Sequence, residues 1–155
     1  MMSESESLPA TVLRRWGEQL ADVGSRLSAG QMLINMGETA LPILAGILDG
    51  TACNRFGVPY RRFGPVIESV LHIAGALGAV ALPLAPAIRE EVKAGRAAAI
   101  RALTAQGVLE LETVEVLREV IRTPRGGQDF DWVIEASHAL ARYGFAKELD
   151  RKHPG

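Results

Sequence analysis

The side chains that are able to do chemistry in this sequence are few and widely separated. His138 follows Glu135 at the i, i+3 spacing that places two metal ligands on one helix face, as in di-iron helix bundles. Those sites also need a second Glu-x-x-His pair and further carboxylates on facing helices, and the sequence has one such pair. His72 lies one helical turn after Glu68, and we interpret these two as a solvated surface pair. We therefore expect neither a metal site nor a cofactor.

Nucleophilic catalysis has little support in the sequence. Cys53 is the only cysteine, and no recognisable set of Ser, His and Asp lies near it in the chain. It has no second cysteine for a disulfide or a zinc site, so we expect the cytoplasm as the compartment. We predict that the chain is not an enzyme. The alternative is an enzyme or enzyme subunit whose site is dispersed over helices, with Glu135, His138 and Cys53 as participants.

Two further features have a structural interpretation. Glu90 and Glu91 lie among helix residues, and we interpret both as solvated. The pair Gly126-Gly127 lacks the following Lys-Ser or Lys-Thr and the preceding strand of a phosphate loop, which indicates a turn.

One segment stands out as a candidate binding region. Residues 49–65 read DGTACNRFGVPYRRFGP, which is long for a connection between helices. Aromatic residues beside arginine are typical of binding hot spots. We predict that a partner protein is bound by six residues of this segment: Arg55, Phe56, Tyr60, Arg61, Arg62 and Phe63. The alternative is that Pro59 begins the next helix, Phe63 packs inside and the arginines only keep the surface solvated.

The charge balance argues against a general electrostatic attraction to nucleic acid or anionic lipid. The chain has 17 basic and 18 acidic side chains, for a net charge of -1. A stripe of arginines is nevertheless able to bind phosphates in a neutral protein, which leaves nucleic-acid binding as a further alternative. The residues for it are Arg55, Arg61, Arg62, Arg118, Arg122 and Arg125.

The elements that must position these residues are helices. Leu13, Trp16, Leu20 and Val23 fall on one helical face, and no strand-like alternation of apolar and polar residues is convincing. Residues 1–9 are polar and acidic without the pattern of an export signal, and we expect a disordered leader followed by one domain over 10–155. Residues 69–88 contain no Asp, Glu, Lys or Arg, but we expect two helices that meet near Gly78 rather than a membrane span.

Two of the predicted helix pairs repeat in sequence. Residues 29–48 and 71–88 share the pattern Gly-x-x-Ala-Leu-Pro, which starts at Gly37 and at Gly78. We expect each glycine to end one helix, with Pro42 or Pro83 in the first turn of the next. Weaker copies surround Gly107 and Gly144, and the glycine spacings are 41, 29 and 37 residues.

A helix that ends in Met-Gly or Leu-Gly, then x-x-Ala-Leu-Pro and a second apolar helix, resembles HEAT-type repeats. The resemblance implies an all-α fold, a short irregular α-solenoid of about seven to nine helices in stacked hairpins. It implies that residues 13–23 cap one end and residues 148–155 the other. It also implies a scaffold that binds a partner protein, such as an immunity or antitoxin-like protein or an assembly adaptor.

Overall fold

The computed structural model describes residues 8–123 and 130–144; for Phe130 and Asp131 it describes the backbone alone. This part of the chain is helical and contains no strand, which confirms the all-α prediction for it. Its helices are α1 (Ala10–Ala21), α2 (Arg26–Met36), α3 (Leu41–Leu48), α4 (Gly64–Leu77), α5 (Ala85–Lys93), α6 (Ala97–Ala105), α7 (Leu111–Arg122) and α8 (Phe130–Arg142). Outside the described residues lie most of the predicted leader, Arg125, the Gly126-Gly127 turn and the predicted cap at 148–155.

The glycines that open the two Gly-x-x-Ala-Leu-Pro segments adopt the same backbone angles. Gly37 has φ 62° and ψ −130°, and Gly78 has φ 64° and ψ −129°. Residues with a side chain are strained in this region, so glycine ends α2 and α4 at these points. A 3-10 turn follows each glycine, at Gly37–Ala40 and at Gly78–Leu84, and the two turns contact each other. These turns are helical too, so they join α2 to α3 and α4 to α5 in two continuous helical stretches. If each stretch is counted as one helix, the eight described helices become six.

The prolines behave differently in the two segments. Pro42 lies in the first turn of α3, as predicted. Pro83 instead lies inside the 3-10 turn, and Pro86 takes the position in the first turn of α5. Both prolines lack an amide hydrogen, and the proline ring crowds the preceding turn, so regular α-helix starts only at Ala85.

The helices contact one another in two rows. In one row α2 contacts α4, α4 contacts α6 and α6 contacts α8; in the other α3 contacts α5 and α5 contacts α7. Contacts between α3 and α4, α5 and α6, and α7 and α8 join the rows, while α1 packs on α2, α3 and α4. A single apolar cluster extends through both rows from Leu13 to Leu140. Burial of its larger side chains contributes about 1.5–3 kcal/mol each.

The first helix differs from its predicted pattern at one end. Leu13 and Leu20 are buried and Trp16 packs against the core, but α1 ends at Ala21. Val23 therefore lies in the turn before α2 and is 81% exposed. Its assignment to the buried face of α1 was wrong, because a helical face continues only as far as the helix.

Candidate partner-binding surface

The segment between α3 and α4 is a structured loop that spans residues 49–63. Pro65 belongs to the first turn of α4 and not to the loop. Pro59 does not begin an α-helix; it precedes a short 3-10 turn at Tyr60–Arg62. An isolated antiparallel bridge pairs Cys53 with Pro59, so the chain folds back on itself inside the loop.

Asn54 organises the tip of this loop. Its Oδ1 accepts hydrogen bonds from the amides of Phe56 at 2.8 Å and Val58 at 3.0 Å. The amide of Asn54 in turn donates to the carbonyl of Val58 at 2.9 Å, and Gly57 closes the turn with φ 80°. A short polar side chain can accept hydrogen bonds from backbone amides two and four residues ahead. These bonds take the place of the backbone hydrogen bonds of a helix or strand. The backbone at Phe56 is therefore held in one conformation.

Tyr60 anchors the loop to the core. Its amide donates to the carbonyl of Ala52 at 2.9 Å, and its ring, which is 3% exposed, packs directly on Gly17 of α1. Burial raises the pKa of the phenol above its ordinary value of 10.0, and the nearby Glu18 carboxylate raises it further. The expectation that Tyr60 contacts a partner is corrected here, because a buried ring against a glycine is a packing residue.

Arg61 ties the loop to α5 through a buried carboxylate. Its Nη2 lies 3.2 Å from Oε2 of Glu91, and Nε of Arg96 lies 3.1 Å from the other oxygen. Arg96 also contacts Glu68 of α4 at 3.1 Å. The Glu91 side chain is only 5% exposed, so its interpretation as a solvated residue was wrong. Two guanidinium groups compensate for the removal of this carboxylate from water.

The remaining predicted residues of the loop lie on the surface. Phe56 is 75% exposed, and the guanidinium carbon of Arg55 lies 5.0 Å from the centre of its ring. Phe63 is partly exposed and packs against Tyr60 at a ring separation of 6.0 Å. Arg62 is exposed. In the alternative interpretation Phe63 was expected to pack inside, but the aromatic residue of the loop that packs inside is Tyr60.

The loop and the end of α1 form a shallow groove of about 390 Å³. Arg55, Phe56 and Phe63 line it from the loop together with Asn54 and Tyr60, and Glu18 and Asp22 line it from α1 and its C-terminal cap. The groove therefore presents aromatic surface and charges of both signs, which is the composition of a protein-binding surface more than of a small-molecule pocket.

Two exposed apolar residues follow Asp22 of this groove in sequence. Val23, in the connection from α1 to α2, is 81% exposed, and Leu27, in the first turn of α2, is 87% exposed. The connection is nevertheless fixed, because Arg26 donates to the carbonyls of Leu20 at 2.7 Å and Ala21 at 3.0 Å at the end of α1. Exposed apolar side chains grouped on ordered backbone mark interaction sites.

Val23 and Leu27 were not predicted to be surface residues. Their apolar character and spacing are also typical of a buried helix face. They are exposed because α1 ends at Ala21, before the face reaches them. In the sequence, the turn-forming residues Asp22 and Gly24 were the feature that could have indicated the end of α1.

The residues of the enzyme alternative do not come together in one site. Glu135 lies 3.0 Å from Arg101, and His138 lies beside them in a groove between α6 and α8. Cys53 belongs to the loop, where its thiol donates to the Gly50 carbonyl at 3.6 Å, and it does not line that groove. Within residues 8–123 and 130–144, no three His, Cys, Asp or Glu side chains are grouped as metal ligands.

The arginines of the nucleic-acid alternative are mostly engaged with carboxylates. Arg118 lies 3.1 Å from Glu115 and Arg122 lies 3.0 Å from Glu119, both within α7. Arg61 is paired with Glu91, as described above. Arg55, Arg61 and Arg62 are all exposed residues of the loop, and the groove that Arg55 lines includes no residue of α7.

Two helical stretches are long and apolar enough to cross a membrane by length and composition. They are Arg26–Leu48, with mean hydropathy 1.2, and Gly64–Lys93, with mean hydropathy 1.8. Each is interrupted by a glycine with positive φ and a 3-10 turn, and core helices of soluble proteins pass the same test.

The chain matches no model of a known protein family, no curated protein and no solved structure.

Proposed function

We propose that this chain is a non-catalytic interaction module of HEAT-like type, which binds a partner protein in the cytoplasm. The binding surface consists of Phe56, Phe63, Arg55 and Arg62 of the loop, extended by the exposed apolar residues Val23 and Leu27. An immunity or antitoxin-like protein and an assembly adaptor both fit this role, since each needs a shaped surface and no catalytic group.

The observation that carries the proposal is the exposure of Phe56 on ordered backbone. A phenyl ring that is 75% exposed loses apolar contact with the protein, yet two amide hydrogen bonds to Asn54 fix the backbone around it. An aromatic side chain on a fixed backbone loses only its own rotamer freedom on binding, so it contributes strongly to affinity.

The arrangement in rows supports the HEAT-like part of the proposal. Gly37 and Gly78 share the same backbone angles, and the two turns that they begin contact each other, as expected for stacked equivalent units. We propose that the helices form a short irregular solenoid, with α1 covering the apolar face of the first unit. In this arrangement the loop projects between the first two units, where it interrupts the repeat.

Affinity capture with the full chain tests the function. The tagged wild-type protein is compared with Phe56→Ala combined with Arg62→Ala in extracts of the native host. Arg61 is left intact, because its pairing with Glu91 makes it a structural residue. The matched control combines Ile134→Ala and Arg122→Ala, which removes one exposed apolar residue and one arginine far from the loop in sequence.

The proposal predicts a partner in stoichiometric amount with the wild type and the control, and its loss with the loop variant at unchanged helicity. Equal recovery with all three proteins contradicts the assigned surface.

A further inference from the structure

One face of the α2/α4/α6/α8 row carries three grooves, each between two neighbouring helices. The first lies between α2 and α4, the second between α4 and α6 and the third between α6 and α8, with volumes of about 390, 420 and 300 Å³. Glu68 and His72 line both the first and the second groove, and Arg101 and Ala105 line both the second and the third. The grooves therefore lie side by side, separated by residues of α4 and α6.

The distance between the grooves follows from helix packing. Packed helices have axes about 8–10 Å apart. Gly75 and Ala102 meet where α4 crosses α6, and a Cβ on Gly75 would lie 3.7 Å from the Cα of Ala102, so these helices approach closely. The first and third grooves are then about 18 Å apart, which an extended chain spans in about six residues at roughly 3.1 Å per residue.

The first groove is mainly apolar. Its apolar lining is Val23, Leu27 and Ile34, together with the buried Ile73. The charged groups in its lining already have partners: Glu68 pairs with Arg96, and Arg26 donates to carbonyls at the end of α1. Small residues line part of the second groove, among them Gly75, Ala98 and Ala102.

The third groove has an excess of positive charge. Arg101 and Arg142 line it together with one carboxylate, Glu135, which lies 3.0 Å from Arg101. Among the described residues Arg142 forms no ion pair, and its guanidinium lies 6.0 Å from the centre of the Tyr143 ring. His138 adds a further nitrogen donor or acceptor at the edge. A carboxylate placed here meets an arginine that has no carboxylate partner among residues 8–123 and 130–144.

We infer that this face binds an extended segment of a partner protein that carries an apolar side chain at one end and a carboxylate about six residues away. The apolar side chain occupies the first groove, a small residue crosses the second and the carboxylate pairs with Arg142 and Arg101 in the third. This site lies on other residues than the loop surface, apart from Val23 and Leu27, and it holds or fails independently of the loop.

Two synthetic nine-residue peptides test the inference by amide chemical-shift titration of the labelled full chain. One has leucine at its first, alanine at its fourth and aspartate at its seventh position, and the other has these three in reverse order; serine fills the remaining positions. Both orders are needed because the grooves do not fix the chain direction. A control peptide has lysine in place of aspartate.

The inference predicts that one of the two acidic peptides shifts amides of α2, α4, α6 and α8, and that the lysine peptide binds more weakly. Combining Arg101→Ala with Arg142→Ala weakens binding about fivefold, as expected for two partly exposed ionic contacts. Combining Arg15→Ala with Arg122→Ala removes the same charge elsewhere and leaves binding unchanged. Arg142→Ala alone retains the Arg101–Glu135 pair, and it also weakens binding, so the result does not depend on the fold of the double variant.

Absence of shifts with both acidic peptides at millimolar concentration overturns the inference, as does equal binding of the lysine peptide or equal weakening by the two arginine pairs. If the peptides fail to bind while the loop variant still loses its partner in affinity capture, the result removes this second site and leaves the proposed function in place.

Discussion

The guanidinium of Arg61 lies 3.2 Å from the carboxylate of Glu91, which connects the exposed loop to the buried side of α5. The two residues are 30 positions apart in sequence, and the carboxylate is shared with Arg96, which itself reaches Glu68 on α4. The loop that displays Phe56 is thereby attached to α5 and, through Arg96, to α4. This attachment helps to fix the backbone of a loop of this length at the surface.

Replacement of Glu91 tests this attachment. Glu91→Ala leaves two arginines without their carboxylate, and we expect the free energy of unfolding to fall by about 1–3 kcal/mol, less than for a fully buried pair because both arginines are partly exposed. Urea denaturation measures it. Glu90→Ala is the matched control: Glu90 is exposed and paired only with Lys93, so its removal should cost less than about 0.5 kcal/mol. Equal losses for the two variants contradict the role given to Glu91.

The contact between Gly17 and Tyr60 makes a second prediction. A Cβ at position 17 would overlap the Tyr60 ring, so Gly17→Ala must displace the ring or α1. We expect a loss of about 1–3 kcal/mol in thermal or urea unfolding, although alanine favours helix by about 1 kcal/mol. Gly64→Ala, where nothing lies within 4 Å of the added Cβ, should be neutral or stabilising. A stable Gly17→Ala protein with its loop unchanged contradicts the packing of Tyr60.

Asn54→Ala tests the order of the loop tip. The substitution removes the acceptor for the amides of Phe56 and Val58, and we expect a loss of about 1 kcal/mol. Hydrogen exchange should become faster at those two amides and remain unchanged in α6. Slow exchange at Phe56 and Val58 in the variant shows that another interaction holds the tip.

Tyr60 gives the protein a dependence on alkaline pH. Its pKa is raised in the folded state, so the folded phenol keeps its proton where the unfolded phenol has lost it. The resulting stabilisation is fully present below about pH 10 and is lost as the pH rises through the higher folded pKa. We expect the unfolding free energy of the wild type to fall above about pH 10 more steeply than that of Tyr60→Phe. Parallel pH profiles for the two proteins contradict a buried Tyr60 phenol.

The helical content was predictable because it depends on local pattern. Apolar residues at helical spacing, and glycine followed by Ala-Leu-Pro, determine backbone conformation within a few residues, and Gly37 and Gly78 adopt matching angles. The 3-10 path through Pro83 was not predicted, since it results from the joint effect of Pro83 and Pro86.

The separation of surface residues from packing residues was not predictable. Phe56 and Tyr60 are both aromatic residues of the same loop. They differ in burial because Gly17 of α1 leaves space for the Tyr60 ring alone. Glu91 likewise follows Glu90 in a run that is typical of a solvated helix face. Its burial depends on the ion pair with Arg61, a loop residue 30 positions earlier in the chain.

The affinity of the captured partner for Phe56→Ala tests the central claim most directly. An exposed aromatic anchor on fixed backbone is expected to lose about 2 kcal/mol of binding free energy on truncation, or about 30-fold in Kd by titration calorimetry, with no change in the midpoint of thermal unfolding. Ile134→Ala, also exposed and apolar, should bind as the wild type does. A partner that binds Phe56→Ala and the wild type with the same Kd contradicts the assignment of the loop as the binding surface.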